Sequence, residues 1–251
     1  MSQLTVFITG ATAGFGAATA RRFAKDKHKL ILTGRRAERL EALKKELDTD
    51  VHIIPLDVRD EKAVRAAVAA LPDTFKNVDV LVNNAGLALG LEPAHLVAMS
   101  DWETMIDTNI KGLLYCTQAL LTGMVERGKG HVINLGSVAG SYPYPGGNVY
   151  GATKAFVKQF SLNLRADLVG QNIRVTDVEP GLAESEFSTV RFKGDAEKAK
   201  QVYEGTDPIT PDNVAEVIYF TATFPGNVNI NRIELMAACQ AFSPFNVVRK
   251  K

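Results

Sequence analysis

Three side chains in the middle of the chain have the types and spacing that acid–base chemistry requires. Tyr150 and Lys154 are four residues apart, so a helix places the phenol and the ammonium group on one face. Lowering the pKa of a tyrosine from about 10 to about 7 requires roughly 4 kcal/mol of phenolate stabilisation, to which a fixed cation can contribute. Ser137 adds a hydroxyl group that could converge with them. Because a Tyr-x-x-x-Lys pair is common by chance, its meaning depends on the rest of the chain.

A glycine-rich segment near the N-terminus predicts a phosphate-binding turn. Gly10, Gly14 and Gly16 follow an apolar run at 4–8 and precede a helix predicted at 17–25. Glycine lets the backbone approach a phosphate, and the N-terminus of a helix favours negative charge. The spacing is G-x-x-x-G-x-G rather than the commoner G-x-G-x-x-G. Such a turn can be purely structural, but at the start of an alternating β/α chain it favours a dinucleotide site.

Short β-branched runs alternate with longer amphipathic segments, which is typical of parallel βαβ units with right-handed crossovers. The pattern predicts one doubly wound, Rossmann-type α/β domain over residues 1–251. Its mostly parallel sheet has about seven strands, helices on both faces and a ligand cleft at the strand carboxyl ends. The predicted strands are 5–9, 29–33, 51–55, 80–83, 131–135, 174–179 and 231–236. The predicted helices are 17–25, 37–47, 61–71, 102–126, 149–169 and 211–223.

Composition argues against several other classes of protein. A net charge of +1 gives no reason to expect nucleic acid or an acidic membrane as a partner. No apolar run approaches the roughly 18 residues of a membrane span and no targeting segment is evident, so we expect a soluble cytoplasmic protein. Cys116 and Cys239 are expected to be reduced core thiols rather than a disulfide. The four histidines lack metal-ligand spacing, so no metal site is expected.

The end of the second predicted strand favours NADP over NAD. NAD sites usually carry an acidic residue there, which binds the ribose 2′-hydroxyl. This chain instead has Arg35 and Arg36. A guanidinium group can bind a 2′-phosphate through two hydrogen bonds. The alternative is that Arg36 and Arg39 only decorate the solvated start of the next helix.

Taken in order, the motifs resemble those of the short-chain dehydrogenase/reductase family over nearly the whole chain. Beyond the glycine-rich turn and the Ser, Tyr and Lys, they are Asp57-Val58, Asn83-Asn84-Ala85-Gly86, Asn109 and Pro180-Gly181. Within the family, segments 83–90, 102–112, 146–164 and 179–192 resemble the NADP-dependent 3-hydroxy acid dehydrogenases, which include serine and allo-threonine dehydrogenases.

The resemblance implies a role for each candidate catalytic residue. Tyr150 exchanges a proton with the substrate oxygen while hydride moves to or from the nicotinamide, and Ser137 orients that oxygen. Lys154 lowers the pKa of the phenol and binds the nicotinamide ribose. Asn109 holds a water that links Lys154 to solvent. This division is chemically sensible, because the cofactor carries the hydride and the protein supplies orientation and an acid/base.

The resemblance also implies a cofactor site. Asp57 and Val58 are expected beside the adenine and Asn84 beside the ribose, although Asp is also an ordinary turn or cap residue there. Ser185 stands where the family often has a threonine that contacts the carboxamide. The full predicted set is Gly10, Thr12, Gly14, Phe15, Gly16, Arg35, Arg36, Asp57, Val58, Asn84, Ala85, Gly86, Tyr150, Lys154, Pro180, Gly181 and Ser185.

The implied substrate is a small 3-hydroxy acid such as serine, allo-threonine or 3-hydroxyisobutyrate, or the matching semialdehyde. Ser137 and Tyr150 would contact its reacting end. Arg191 is the candidate partner of its carboxylate, and the alternative is a solvated charge on the lid. That lid is expected to be the polar, irregular segment 182–208. The other wall of the pocket is expected from Tyr142, Tyr144 and Asn148.

Two other functions stay open on sequence alone. One is a broad-specificity NADPH-dependent carbonyl reductase acting on bulky ketones or dicarbonyls. The other is a cofactor-sensing regulator without turnover, which we would expect to lack the Tyr or the Lys. The family also implies a homotetramer. Apolar faces on the predicted helices 102–126 and 149–169 suit either a subunit interface or the core, and segment 237–251 could reach a neighbouring subunit.

Overall fold

The computed structural model describes residues 2–242. Within that range the seven strands are β1 (Thr5–Ile8), β2 (Lys29–Gly34), β3 (Val51–Pro55), β4 (Val80–Asn83), β5 (Gly130–Leu135), β6 (Ile173–Pro180) and β7 (Arg232–Leu235). They form one sheet in the order β3-β2-β1-β4-β5-β6-β7, and every neighbouring pair is parallel. The chain changes direction across the sheet between β1 and β4. This is the switch point at which doubly wound sheets bind ligands, and the predicted fold class is confirmed.

Helices cover both faces of the sheet. They are α1 (Gly14–Lys25), α2 (Ala37–Glu46), α3 (Glu61–Ala69), α4 (Met99–Ile106), α5 (Leu113–Glu126), α6 (Asn148–Asp167), α7 (Glu186–Arg191), α8 (Ala196–Gln201) and α9 (Pro211–Thr223). Successive β1 side chains point to opposite faces, as the strand repeat requires. Val6 and Ile8 pack in the core with α1, α2 and α9, whereas Phe7 packs in the core with α5 and α6. Burial on both faces explains why the central strands are apolar at nearly every position.

Two predicted segments differ from the structure. The single helix predicted over 102–126 is wrong, because a π-helical turn at Asp107–Gly112 separates α4 from α5. The apolar pattern continues through this turn, so periodicity could not reveal it. The lid 182–208 is not irregular, because it contains α7 and α8. Helices of six residues are too short to produce a clear period and depend on capping and contacts.

Three further observations bear on the sequence predictions. Cys116 is buried as expected, but Cys239 is exposed, so its prediction as a core thiol is wrong. Among the described residues, no helix has the length and apolar character needed to cross a membrane. Most of segment 237–251, for which an intersubunit contact was predicted, lies outside the described residues. The single domain over 1–251 therefore stays a prediction.

Candidate active site

Helix α6 presents Tyr150 and Lys154 to the carboxyl edge of the sheet. Both are buried, with 9% and 7% of their surface exposed. The Lys154 Nζ donates a 2.6 Å hydrogen bond to the carbonyl oxygen of Leu135 at the end of β5. It lies 5.9 Å from the centroid of the Tyr150 ring. The helical spacing predicted from sequence therefore does place the phenol and the ammonium group side by side.

Ser137 follows β5 and reaches the same point from the sheet. Its Oγ accepts a hydrogen bond from the Ala139 N–H at 3.1 Å and lies 3.3 Å from the carbonyl oxygen of Pro180, to which it donates. Burial raises the pKa of Tyr150, and the nearby Ser137 hydroxyl acts to lower it. Ser137, Tyr150 and Lys154 thus form one cluster, called the catalytic end below.

Asn109 lies in the π-helical turn and is buried. Its Oδ1 accepts from the Leu87 N–H, and its Nδ2 donates to the Leu87 carbonyl, both at 2.8 Å. The Nδ2 also donates to Thr153 Oγ1 at 3.0 Å, next to Lys154 on α6. Asn109 therefore ties the segment after β4 to the catalytic helix. Its predicted role in holding a water stays a prediction.

Burial controls the protonation of the catalytic pair. It raises the pKa of Tyr150 to about 12, although Arg191 and Ser137 act to lower it. Burial also lowers the pKa of Lys154 to about 8, although Asp177 acts to raise it. In this structure the cation that favours the phenolate is Arg191. The predicted lowering of the phenol pKa by Lys154 is not observed, and it stays a prediction for the cofactor-bound protein.

Two buried carboxyl groups on β6, one of which interacts with Lys154, were missed by sequence reasoning. Asp177 and Glu179 are two residues apart on β6, so their side chains lie on the same face of the sheet, and both are almost completely buried. Burial and the neighbouring Glu179 raise the pKa of Asp177 to about 8, and Lys154 opposes this. The Nε of Arg232 lies 3.5 Å from a Glu179 carboxylate oxygen. Two acidic residues within the strand predicted at 174–179 were the available signal.

The glycine-rich turn forms a cradle that fits a pyrophosphate. Gly10 and Gly14 have positive φ angles of 67° and 52°, which favour glycine. A Cβ on Gly16 would lie 2.5 Å from the Gly10 carbonyl oxygen, so a side chain there would displace the turn. Helix α1 begins at Gly14 and has no acidic residue in its first turn. Its free N–H groups and positive end suit a negatively charged ligand.

The cradle is joined to the end of β4 by Thr9, a residue the sequence analysis did not single out. Its Oγ1 accepts hydrogen bonds from the backbone N–H groups of Asn84 at 3.0 Å and Ala85 at 2.9 Å. The Asn84 side chain donates to the Thr9 carbonyl at 2.8 Å. These bonds bring the ends of β1 and β4 together as the floor of a cleft.

That cleft has a volume of about 330 Å³ and runs from the cradle to the catalytic end. All residues predicted to bind the cofactor line it except Gly16, which lies beneath the turn. The lining also includes Glu186 and Phe187 of the lid, which were not predicted. Asp57 lines the cleft and makes a turn as well, since its Oδ1 accepts from the Arg59 N–H at 3.1 Å. Both interpretations of Asp57 thus agree with the geometry.

Three arginines gather where the cleft passes β2, and we call Arg35, Arg36 and Arg39 the nucleotide end. Arg35 is exposed on the cleft wall. Arg36 also lines the cleft, and its Nε and Nη2 donate to Thr12 Oγ1 at 3.2 and 2.8 Å. Arg36 is therefore more than a solvated helix residue. The donor set, with no carboxylate at the end of β2, fits a 2′-phosphate better than a 2′-hydroxyl.

Arg191 approaches the catalytic end from the lid. Its Nη2 donates to the Tyr144 hydroxyl at 3.0 Å. Its guanidinium carbon lies 5.2 Å from the centroid of Tyr150 and 5.0 Å from that of Phe187. The Arg191 Nε is buried without a hydrogen-bond partner in the described part of the chain. Arg191 is thus half-buried among aromatic rings rather than fully solvated, and its role as the partner of a substrate carboxylate stays a prediction.

The protein class follows from this site together with comparison to known proteins. A family model described as short chain dehydrogenase matches residues 4–196. The chain belongs to the short-chain dehydrogenase family, so the resemblance noted in the sequence is confirmed.

Similar proteins with known names place the chain more closely within this family. The chain is 60% identical over 247 residues to the NADP-dependent 3-hydroxy acid dehydrogenase YdfG of Salmonella typhi, covering 98% of this chain and 100% of the relative. It is 56% identical to serine 3-dehydrogenase of Agrobacterium fabrum, covering 98% of each. Among solved structures, the closed form of serine dehydrogenase complexed with NADP+ has a TM-score of 0.96 at 58% identity, over 98% of this chain and 99% of that one. Serine dehydrogenase from Escherichia coli has a TM-score of 0.84 at 54% identity, over 94% and 99%.

Proposed function

We propose that this protein is an NADP-dependent oxidoreductase that transfers a hydride between NADP(H) and a small 3-hydroxy acid or the corresponding semialdehyde or ketone. The observation that carries the proposal is the cluster of Ser137, Tyr150 and Lys154 at one end of a cleft whose other end is lined by arginines. Relatives of 56–60% identity with this activity in their names support it.

The residues divide the work of the reaction. When bound, NADP+ supplies the hydride acceptor, and NADPH the donor, so the protein must supply orientation and proton transfer. Ser137 binds the substrate oxygen, and Tyr150 exchanges a proton with it. In the cofactor-bound protein, Lys154 is assigned the positive charge that favours the phenolate, and its ammonium group also binds the nicotinamide ribose. The neutral phenol that burial maintains is the form that gives a proton during reduction.

The substrate carboxylate is assigned to Arg191. This guanidinium group lies against the ring of the proposed acid/base, and its buried Nε has no partner in the described chain. A buried donor without a partner is costly, and a carboxylate satisfies it with a charge-assisted hydrogen bond. Arg191 would thus hold the acid end of the substrate while Ser137 and Tyr150 hold the reacting oxygen.

The test compares acidic and neutral substrates in Arg191→Gln. We expect kcat/KM to fall by about 10- to 100-fold for L-serine, allo-threonine and 3-hydroxyisobutyrate, and much less for neutral carbonyl compounds of similar size. Lys198→Gln is the matched control, since it removes an exposed lid cation whose ammonium group, within the described residues, pairs only with Asp195, three residues away. Equal losses for acidic and neutral substrates would contradict the assignment. Activity only on neutral ketones would favour the broad carbonyl reductase instead.

We also propose a cytoplasmic homotetramer. Leu162 on α6 is 42% exposed, and Phe156 and Phe160 stack on the same helix with their ring centroids 5.8 Å apart. Apolar side chains that stay fully or partly exposed on one helix are suited to packing against a second copy of the chain. Light scattering measures the assembly directly, and a mass near that of one chain would contradict it. Cell fractionation tests the location.

A further inference from the structure

The lid helix α7 is fastened on both sides of the cleft. At its C-terminal end, the Gly90 N–H donates to the Arg191 carbonyl at 2.8 Å, and Lys193 pairs with Asp101 at 2.7 Å. At its N-terminal end, the fastening is made by Glu186, the first residue of the helix. The lid therefore touches both the catalytic end and the nucleotide end.

Glu186 bridges two of the arginines at the nucleotide end. Arg39 Nη1 donates to both of its carboxylate oxygens, at 2.7 and 3.0 Å. Arg36 Nη1 donates to Glu186 Oε2 at 3.1 Å. Burial acts to raise the pKa of Glu186, but the hydrogen bonds from Arg39 and Arg36 outweigh it and hold the pKa low. The lid thus carries a negative charge into this end of the cleft at neutral pH.

Every nitrogen of the Arg36 guanidinium group already makes a contact, and three of its five N–H groups are used. Its Nε and Nη2 donate to the Thr12 hydroxyl, and its Nη1 donates to Glu186. Carboxylate and phosphate use the same donors of a guanidinium group, and both prefer charge-assisted bonds. A 2′-phosphate at the nucleotide end therefore has to share Arg36 and Arg39 with the lid or take them from it. Arg35, exposed on the cleft wall, makes no side-chain hydrogen bond within residues 2–242 and stays available.

We propose that Glu186 moderates the preference for 2′-phosphorylated nucleotides by competing with the 2′-phosphate of NADP for Arg36 and Arg39. The competition limits how tightly a 2′-phosphorylated nucleotide binds. It also means that the phosphate weakens the contacts that hold the N-terminal end of α7. A nucleotide with a free 2′-hydroxyl leaves the carboxylate in place. The inference rests on the proposed NADP dependence. It adds an acidic residue to the arginines that are assigned to the 2′-phosphate.

The test uses Glu186→Gln, which keeps the shape of the side chain and removes its charge. Glu184→Gln is the matched control, because Glu184 is an exposed lid glutamate two residues away. Isothermal titration calorimetry at low salt would measure the Kd of adenosine 2′,5′-bisphosphate and of 5′-AMP, which differ only by the 2′-phosphate. We expect Glu186→Gln to bind the bisphosphate about 3- to 5-fold more tightly, in the range of exposed ion pairs. Binding of 5′-AMP, and both affinities in the control, should change less than about 1.5-fold.

Three outcomes would overturn the inference. Weaker bisphosphate binding by Glu186→Gln would mean that Glu186 positions the arginines for the phosphate. Unchanged binding would mean that the ion pairs do not compete. An equal gain for 5′-AMP would mean that the effect lies outside the 2′-phosphate site. Failure of the proposed cofactor is recognised separately, because the wild-type protein would then show no preference for the bisphosphate over 5′-AMP, and the inference would be lost with it.

Discussion

At the nucleotide end of the cleft the charged side chains face water, whereas at the catalytic end they are buried. The side chains of Arg36, Arg39 and Glu186 are 40%, 44% and 47% exposed. Tyr150 and Lys154 have only 9% and 7% of their surface exposed. Water and salt weaken charge interactions at the first end and have little access to the second. We therefore expect similar ionic groups to adjust nucleotide binding at one end and to control proton transfer at the other.

The sharpest test of the catalytic end is removal of the phenol. Tyr150→Phe should lower kcat by about 10³-fold or more, because proton transfer loses its group. Nucleotide affinity should change little, and steady-state kinetics with nucleotide titration would measure both. Tyr115→Phe, which alters a phenol packed beside α3, is the matched control. A Tyr150→Phe enzyme within 10-fold of wild type would remove Tyr150 as the acid/base.

A pH profile tests the buried cation. Burial lowers the pKa of Lys154 to about 8, so its positive charge is present below that pH and is lost as the pH rises through it. Wild-type kcat/KM for reduction should therefore decline across about pH 8, in addition to any change from the substrate. Lys154→Met should be about 10²-fold slower at pH 7 and should lack this decline.

The control for that profile is Lys158→Met, one turn along α6, where the ammonium group donates to Ser141 Oγ at 2.8 Å. It should retain the decline near pH 8. If Lys154→Met kept the same decline, another group would be responsible, and the buried neighbour Asp177, whose pKa is raised to about 8, would be the first to examine.

At the nucleotide end, substitutions are expected to change nucleotide affinity by smaller factors, and these factors should depend on salt. Arg35→Ala should weaken NADP binding by about 10-fold, as loss of one charge-assisted contact predicts, and NAD binding by less than about 2-fold. The difference should shrink as salt is raised from about 0.05 to 0.5 M. Arg65→Ala, on α3 and paired with Glu61, is the control. Equal weakening of both nucleotides would contradict the assignment of Arg35 to the 2′-phosphate.

The sequence predictions succeeded where the structure depends on neighbouring residues and failed where it depends on residues distant in the chain. Strands 51–55 and 80–83 and helix 211–223 were predicted with the bounds that the structure has. Their signals are local, since β-branched runs, a helix period and the Thr210–Pro211 start lie within a few residues. The short lid helices and the π-helical turn carry no comparable signal, and both predictions there were wrong.

The candidate site shows more clearly which contacts can be predicted from sequence spacing and which cannot. The pairing of Tyr150 with Lys154 required only helical spacing. The bridge from Glu186 to Arg36 joins residues 150 positions apart, so it depends on where β2 ends and where the lid crosses the cleft. The burial of Asp177 beside Lys154 depends likewise on how α6 packs against β6.

By itself the sequence determined the alternation of strands and helices, the glycine cradle and the types of group available for chemistry. Each of these depends on residue type and short spacing. Only the tertiary structure decided how those groups are charged. Burial raises the pKa of Tyr150 to about 12 where the sequence predicted a lower value, and the lid places Arg191 against that ring. Desolvation depends on all the surrounding elements together, and no local pattern encodes it.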